Sequence, residues 1–173
     1  GLGIRFLKHL TRNRILLHIV DMAPFDGTEP ADSAVAIAGE LGRFSATLAE
    51  RERWLVLNKT DLIDAETFAE RKTAVLAALD WQGPVYEVSA IKGEGTDALC
   101  GDLMNYLEEL REQEKADPEL AHADVELQQR MQEEARERIA ELRSQHKRRA
   151  DQEAEDDDDW DDDEYDVDVE YVP

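Results

Sequence analysis

Asn58, Lys59 and Asp61 are the residues of this chain whose types and spacing could do chemistry. They follow the apolar run Trp54-Leu55-Val56-Leu57 directly, in the order Asn58-Lys59-Thr60-Asp61. An apolar run closed by a polar turn predicts a buried strand. In open α/β sheets ligands lie beyond the carboxyl ends of the strands, so these side chains stand where such a sheet reads a ligand. Their chemistry points to a guanine base. Guanine presents a ring N–H and an exocyclic amine side by side, and one ionised carboxylate accepts from both. Asp61 is the candidate acceptor. Adenine would turn a bare ring acceptor toward the same carboxylate, and leaving a buried polar group unpaired is an effective way to reject a ligand. Asn58 carries both donor and acceptor and can bond the other edge of the base or tie the loop to its neighbours. Lys59 can lay its stem along the base while its ammonium reaches solvent or backbone oxygens.

A second stretch adds to the first. Pro84-Val85-Tyr86-Glu87-Val88 reads as another strand, and Ser89-Ala90 follows it. A small residue at Ala90 lets a backbone N–H approach the guanine carbonyl oxygen, and the Ser89 hydroxyl can support the loop. Positions 58 and 89 lie 31 apart, which suits one strand–helix–strand unit of about 30 residues or more.

The elements that must position these loops can be read along the chain. Apolar residues at 4, 6, 7 and 10 predict a short amphipathic helix. Ile15–Val20 is a continuous apolar run, expected as a buried parallel strand ended by Asp21. Two prolines and Asp26-Gly27 make residues 23–30 a loop. A helix capped by Asp32 or Ser33 is then expected to run to about Arg51. Asp64 is the predicted cap of a helix reaching Leu79. Another helix is expected from Thr96 to about Lys115, with Leu99, Leu103, Tyr106, Leu107 and Leu110 at helical spacing. The alternation predicts an α/β fold with a parallel sheet flanked by helices.

Beyond Lys115 the composition changes. Asp117-Pro118 predicts a cap with proline at the first helical position. A charged helical extension is expected over 116–150, with a thin apolar stripe of Leu127, Met131, Ala135, Ile139 and Leu142. Glu126–Arg130 and Glu134–Arg138 are spaced to support the helix surface. That stripe leaves the helix free, packed on the domain, or paired with a partner. Arg143 and Lys147-Arg148-Arg149 read as a solvated helix end before they read as an RNA contact. Residues 151–173 hold fourteen Asp or Glu, no Lys or Arg, and three embedded aromatics, Trp160, Tyr165 and Tyr171. This stretch is expected to be disordered alone, and either solubilises the chain or folds onto a basic surface. It carries −14 of the formal net charge of −22. Such charge disfavours docking on a phosphate backbone through the tail.

Other chemistries find no pattern. Ser, Cys, His and Asp do not form a hydrolase signature. The four histidines (His9, His18, His122 and His146) are scattered without metal-ligand spacing, so they are expected to be structural or solvated. One cysteine, Cys100, excludes an internal disulfide and suits a reducing, cytoplasmic setting. No apolar run approaches the roughly 20 residues of a membrane span.

With these residues assembled, the chain resembles one family. Asn58-Lys59-Thr60-Asp61 and Ser89-Ala90 look like the two guanine-specificity motifs of translation-factor-type GTPases. The opening Gly1-Leu2-Gly3-Ile4-Arg5-Phe6-Leu7-Lys8-His9-Leu10 is similar to the segment just after switch II in the Obg GTPases of bacteria. Asp26-Gly27-Thr28, Arg53-Trp54-Leu55-Val56 and the acidic, aromatic-bearing end also resemble Obg. The likeness implies that residues 1–115 are the C-terminal half of a P-loop-type GTPase domain. It implies that Asn58, Lys59 and Asp61 read the base, with Thr60 the variable position, and that Ser89, Ala90 and Ile91 form the second loop. It further implies GTP and GDP as ligands, Mg²⁺, slow GTP hydrolysis by the intact protein, and work on the large ribosomal subunit during its assembly. The phosphate side departs from the family. G-x-x-x-x-G-K-[ST], the switch threonine and Asp-x-Pro-Gly do not occur in residues 1–173. The chain opens on Gly1, so a fragment is expected, with the Mg²⁺ ligands elsewhere and no GTPase activity of its own. Loss of the phosphate-side strands would leave Ile15–Val20 as an exposed sheet edge. Two other readings stand beside this one: an interaction module docking basic ribosomal proteins through helix and tail, and a nucleotide binder that is not a GTPase.

Overall fold

The computed structural model describes residues 4–157, with side chains described over 6–145. Three strands, β1 (Leu16–Asp21), β2 (Arg53–Asn58) and β3 (Val85–Val88), form one parallel sheet in the order β1-β2-β3. Helices α1 (Ile4–Leu10), α2 (Pro30–Phe44), α3 (Ala46–Ala49), α4 (Ala65–Ala78), α5 (Thr96–Ala116) and α6 (Pro118–Asp157) surround and follow it. The expected α/β class with a parallel sheet flanked by helices is what the chain adopts.

The sheet buries unlike sets of side chains on its two faces. Val20, Leu55 and Leu57 pack with Met22, Ala34 and Val75 under α2 and α4. Trp54, Val56 and Val88 pack with Leu99, Leu103 and Tyr106 of α5. Trp54 stacks on Tyr86 and meets Tyr106 edge-on, each at 5.4 Å between centroids. The central strand β2 is therefore buried on both faces, as its unbroken apolar run requires. β1 is not. Leu16, His18 and Val20 are buried while Leu17 and Ile19 are exposed, so the run expected to be buried has one covered face, and among the described residues β1 is the sheet edge also expected of it. Leu16 N–H bonds Glu52 and Met22 N–H bonds Asn58, which by strand alternation turns the backbone groups of Leu17, Ile19 and Asp21 away from β2. A groove of about 440 Å³ runs along this side, walled by Phe6, Leu10, Ile37 and Leu41.

Two helix boundaries differ from expectation. α2 begins at Pro30 behind Glu29, not behind Asp32 or Ser33, because proline has the φ of a first turn and no N–H to leave unbonded. The helix expected to reach Arg51 breaks at Ser45. That residue is extended, and its hydroxyl accepts the Leu48 N–H to start α3. α4 starts where expected: the Asp64 carboxylate accepts the Thr67 N–H at 2.9 Å.

The chain divides between Arg138 and Ile139. Within the first unit α6 is packed on the domain, with Met131 and Ala135 almost fully buried. Both oxygens of Glu134 reach off the helix: they accept from the Ser45 hydroxyl at 2.6 Å, the Thr47 hydroxyl at 2.6 Å and the Thr47 N–H at 3.1 Å. Burial opposes ionisation of Glu134, but the bonds from Ser45 and Thr47 outweigh it, and the carboxyl lies below its ordinary value. Asp124 adds ion pairs to Arg51 at 2.8 Å and Arg14 at 3.3 Å. In the second unit α6 continues through Asp157, into the stretch expected to be disordered tail, where Glu, Gln and Ala favour helix. The remainder of that tail, 158–173, lies outside the described residues, as do the side chains of Lys147-Arg148-Arg149.

Candidate functional site

The carboxyl ends of the three strands stand in one row: Asp21 pairs with Asn58 and Asn58 with Val88 in the sheet register. The predicted loops leave from this row. Asn58 closes β2, and its Oδ1 accepts the Ala90 N–H at 3.1 Å, so one side chain joins the two loops that sequence spacing put 31 positions apart. Of the two uses open to Asn58, its carbonyl oxygen has the structural one.

Lys59 adopts the left-handed backbone conformation with φ 69°, uncommon outside glycine. It leads into a 3-10 turn over Thr60–Leu62, closed by Leu62 N–H to the Lys59 carbonyl at 3.1 Å. Its ammonium was expected on solvent or backbone oxygens. It sits instead on the Asp21 carboxylate at 2.6 Å, and 5.1 Å from the centre of the Phe25 ring. The carboxylate is fixed in turn, since Asp21 Oδ1 accepts the Ala23 N–H at 2.9 Å.

Asp61 lies within that turn. Its Oδ1 is buried and has no hydrogen-bond partner among the described residues. A buried carboxylate oxygen without a donor costs free energy unless something else supplies one. Thr60 is half-buried and contributes no described side-chain bond.

The second loop is held by its own backbone. Ser89 is fully buried; its N–H bonds the Glu94 carbonyl at 3.0 Å and its hydroxyl accepts the Lys92 N–H at 3.3 Å. Gly95 fixes the exit. It has φ 73°, and a Cβ there would stand 2.2 Å from the Glu87 carbonyl oxygen, so no other residue fits. The loop presents Ala90 and Ile91 outward, with Ile91 88% exposed. Phe25 and Leu62 on the other two loops are exposed as well, so apolar side chains rim the polar row on all three sides.

The structure brings Asn58, Lys59, Asp61, Ser89 and Ala90 to one end of the sheet, and places beside them Asp21 and Phe25, which the sequence reading did not single out. Asp21 carried a usable signal, because it too is a polar residue ending an apolar strand. Nothing in the sequence marked Phe25.

Away from this end, His18 is buried with neither ring nitrogen bonded among the described residues, beside Arg53, whose Nε is also unbonded. Burial, then the nearby Arg53 charge, pulls His18 down to about 4. No group of three or more His, Cys, Asp or Glu among the described residues could hold a metal ion. No described helix is long and apolar enough to cross a membrane. No family model matches the chain.

Proposed function

We propose that this chain is the base-reading part of a guanine-nucleotide-binding protein of the Obg type. The observation that carries the reading is the Asp61 oxygen, buried and without a donor among the described residues, just beyond the carboxyl end of the central strand. A guanine base brings two donors of suitable spacing, and an ionised carboxylate accepts both more strongly than a neutral acceptor would. The Ala90 N–H, expected at the guanine carbonyl oxygen, is instead donated to Asn58 Oδ1 and ties the second loop to the first, so the loop brings Ala90 to the site by position. Ile91 and the Lys59 stem supply apolar surface for the ring faces.

The open edge of β1 supports the same reading. An unpaired edge flanked by exposed Leu17 and Ile19 suits a sheet that continues into phosphate-binding strands. In that proposal the intact protein binds GTP and GDP with Mg²⁺, hydrolyses GTP slowly, and acts in the cytoplasm on the large ribosomal subunit during assembly, with the acidic end meeting a basic partner. The base half alone does no phosphoryl chemistry, because the charge that develops there needs backbone donors, a lysine and a metal.

Titrating the chain with GDP and ADP tests the reading. Preference for GDP with no GTP turnover is the expected result; equal binding of both nucleotides, or measurable hydrolysis by residues 1–173, overturns it. In the intact protein, Asp61→Asn should weaken GTP binding and favour xanthine nucleotides, whose extra carbonyl accepts from the new amide. Unchanged GTP affinity would remove Asp61 from the site.

A further inference from the structure

We propose that Asp21 is a positioning residue: it holds the Lys59 ammonium away from Asp61 and so keeps the Asp61 carboxylate free for its ligand. The inference rests on the guanine reading above and adds a residue that the motif does not contain. Lys59 and Asp61 carry opposite charges two positions apart, within reach of a four-carbon stem. Left to themselves they would pair, and the pair would consume the acceptor that base recognition needs. The structure has them apart. The ammonium is on Asp21 Oδ2 at 2.6 Å and over the Phe25 ring at 5.1 Å, while Asp61 Oδ1 has no described partner.

The competition need not be won by much. Asp21 and Lys59 side chains are 41% and 31% exposed, so their pair is a modest one. Moving the ammonium to Asp61 would bring it toward a buried oxygen, at a desolvation cost that Asp21 avoids. Asp21 is also prepared for the role. Its other oxygen takes the Ala23 N–H, and its place beside Asn58 in the register sets it one strand from the turn.

The test uses Asp21→Asn, which keeps the side-chain shape and the acceptor for Ala23 but removes the charge. In a ligand-free crystal structure of this variant, Lys59 Nζ is expected within hydrogen-bond distance of the Asp61 carboxylate. In solution, GDP affinity is expected to fall by roughly tenfold or more, the scale of one hydrogen bond to a charged group, with ADP binding unchanged. Lys59→Met separates positioning from general damage. In that background, which keeps an apolar stem and lacks the cation, Asp21→Asn should change GDP affinity by less than about twofold. Equal losses in both backgrounds, an unchanged GDP affinity, or a ligand-free Lys59 that avoids Asp61 would each overturn the proposal. If the unaltered chain prefers neither GDP nor ADP, the guanine reading falls and takes the purpose given to Asp21 with it. The ligand-free structure, which needs no nucleotide, still distinguishes that case from a wrong account of Lys59.

Discussion

At one end of this domain the Glu134 carboxylate accepts three hydrogen bonds from Ser45 and Thr47, and Asp124 pairs with Arg14 and Arg51. At the carboxyl ends of the strands the Asp61 carboxylate has a buried oxygen with no donor among the described residues. Glu134 and Asp61 carry the same functional group. Their surroundings differ. Glu134 completes the first turn of α3 and fastens α6 to the domain, so its chemistry is used up within the fold. Asp61 sits in a turn whose backbone is closed on itself while its side chain is left over. The contrast lies between these two carboxylates: one has its donors within the fold, and the other has a buried oxygen with none among the described residues.

Substitutions at each end can break or sharpen that contrast. The largest effects should come where packing and backbone geometry leave no slack. Met131→Ala empties a fully buried site under α6 and should cost about 3 kcal/mol in urea unfolding. Gly95→Ala should cost a similar amount, about 3 kcal/mol, because its new methyl meets the Glu87 carbonyl at a positive φ. A small effect there would mean that the loop after β3 is pliable rather than fixed.

Glu134→Ala should cost about 2 kcal/mol, since it strands the Thr47 N–H and two hydroxyls together. Its lowered carboxyl gives the sign of the acid response. The stabilisation is present above the ordinary value of 4.5 and is lost as pH falls through the lower folded value. Amide exchange at Thr47 followed down the pH scale reads that loss directly.

His18 provides a separate pH window. Folded His18 is held down to about 4 against an ordinary 6.5, so the unfolded chain takes up a proton first as pH falls between those values. From pH 6.5 to 5 unfolding free energy should drop by up to about 2 kcal/mol on this account. His18→Phe should remove that part of the slope, and an unchanged slope would mean that the ring is not buried neutral.

The smallest effect is the most telling one. Asp61→Asn should change stability by no more than about 0.5 kcal/mol in either direction, because no described donor is lost from the buried oxygen. A loss as large as that from Glu134→Ala would mean that Asp61 is another internal cap, and the contrast between the two ends would collapse.

The sequence by itself determined the local and the periodic. The buried centre of β2 follows from four apolar residues in succession, and the start of α4 from Asp64 three positions ahead of Thr67. The placement of Asn58, Asp61 and Ser89 at strand ends followed from where the apolar runs stop. Neighbours along the chain suffice for such features, because strand and helix periods and caps act over a few residues.

Only the tertiary structure decided who answers whom. Lys59 meets Asp21 across 38 positions, and Glu134 meets Thr47 across 87. Neither pairing has a spacing that any helix or strand period would single out. The same holds for Met131: its thin apolar stripe is compatible with a free helix, and only the packing of α6 on the domain buries it. Polar contacts of that range depend on how elements come together, and a carboxylate's role depends on whether they bring it a donor.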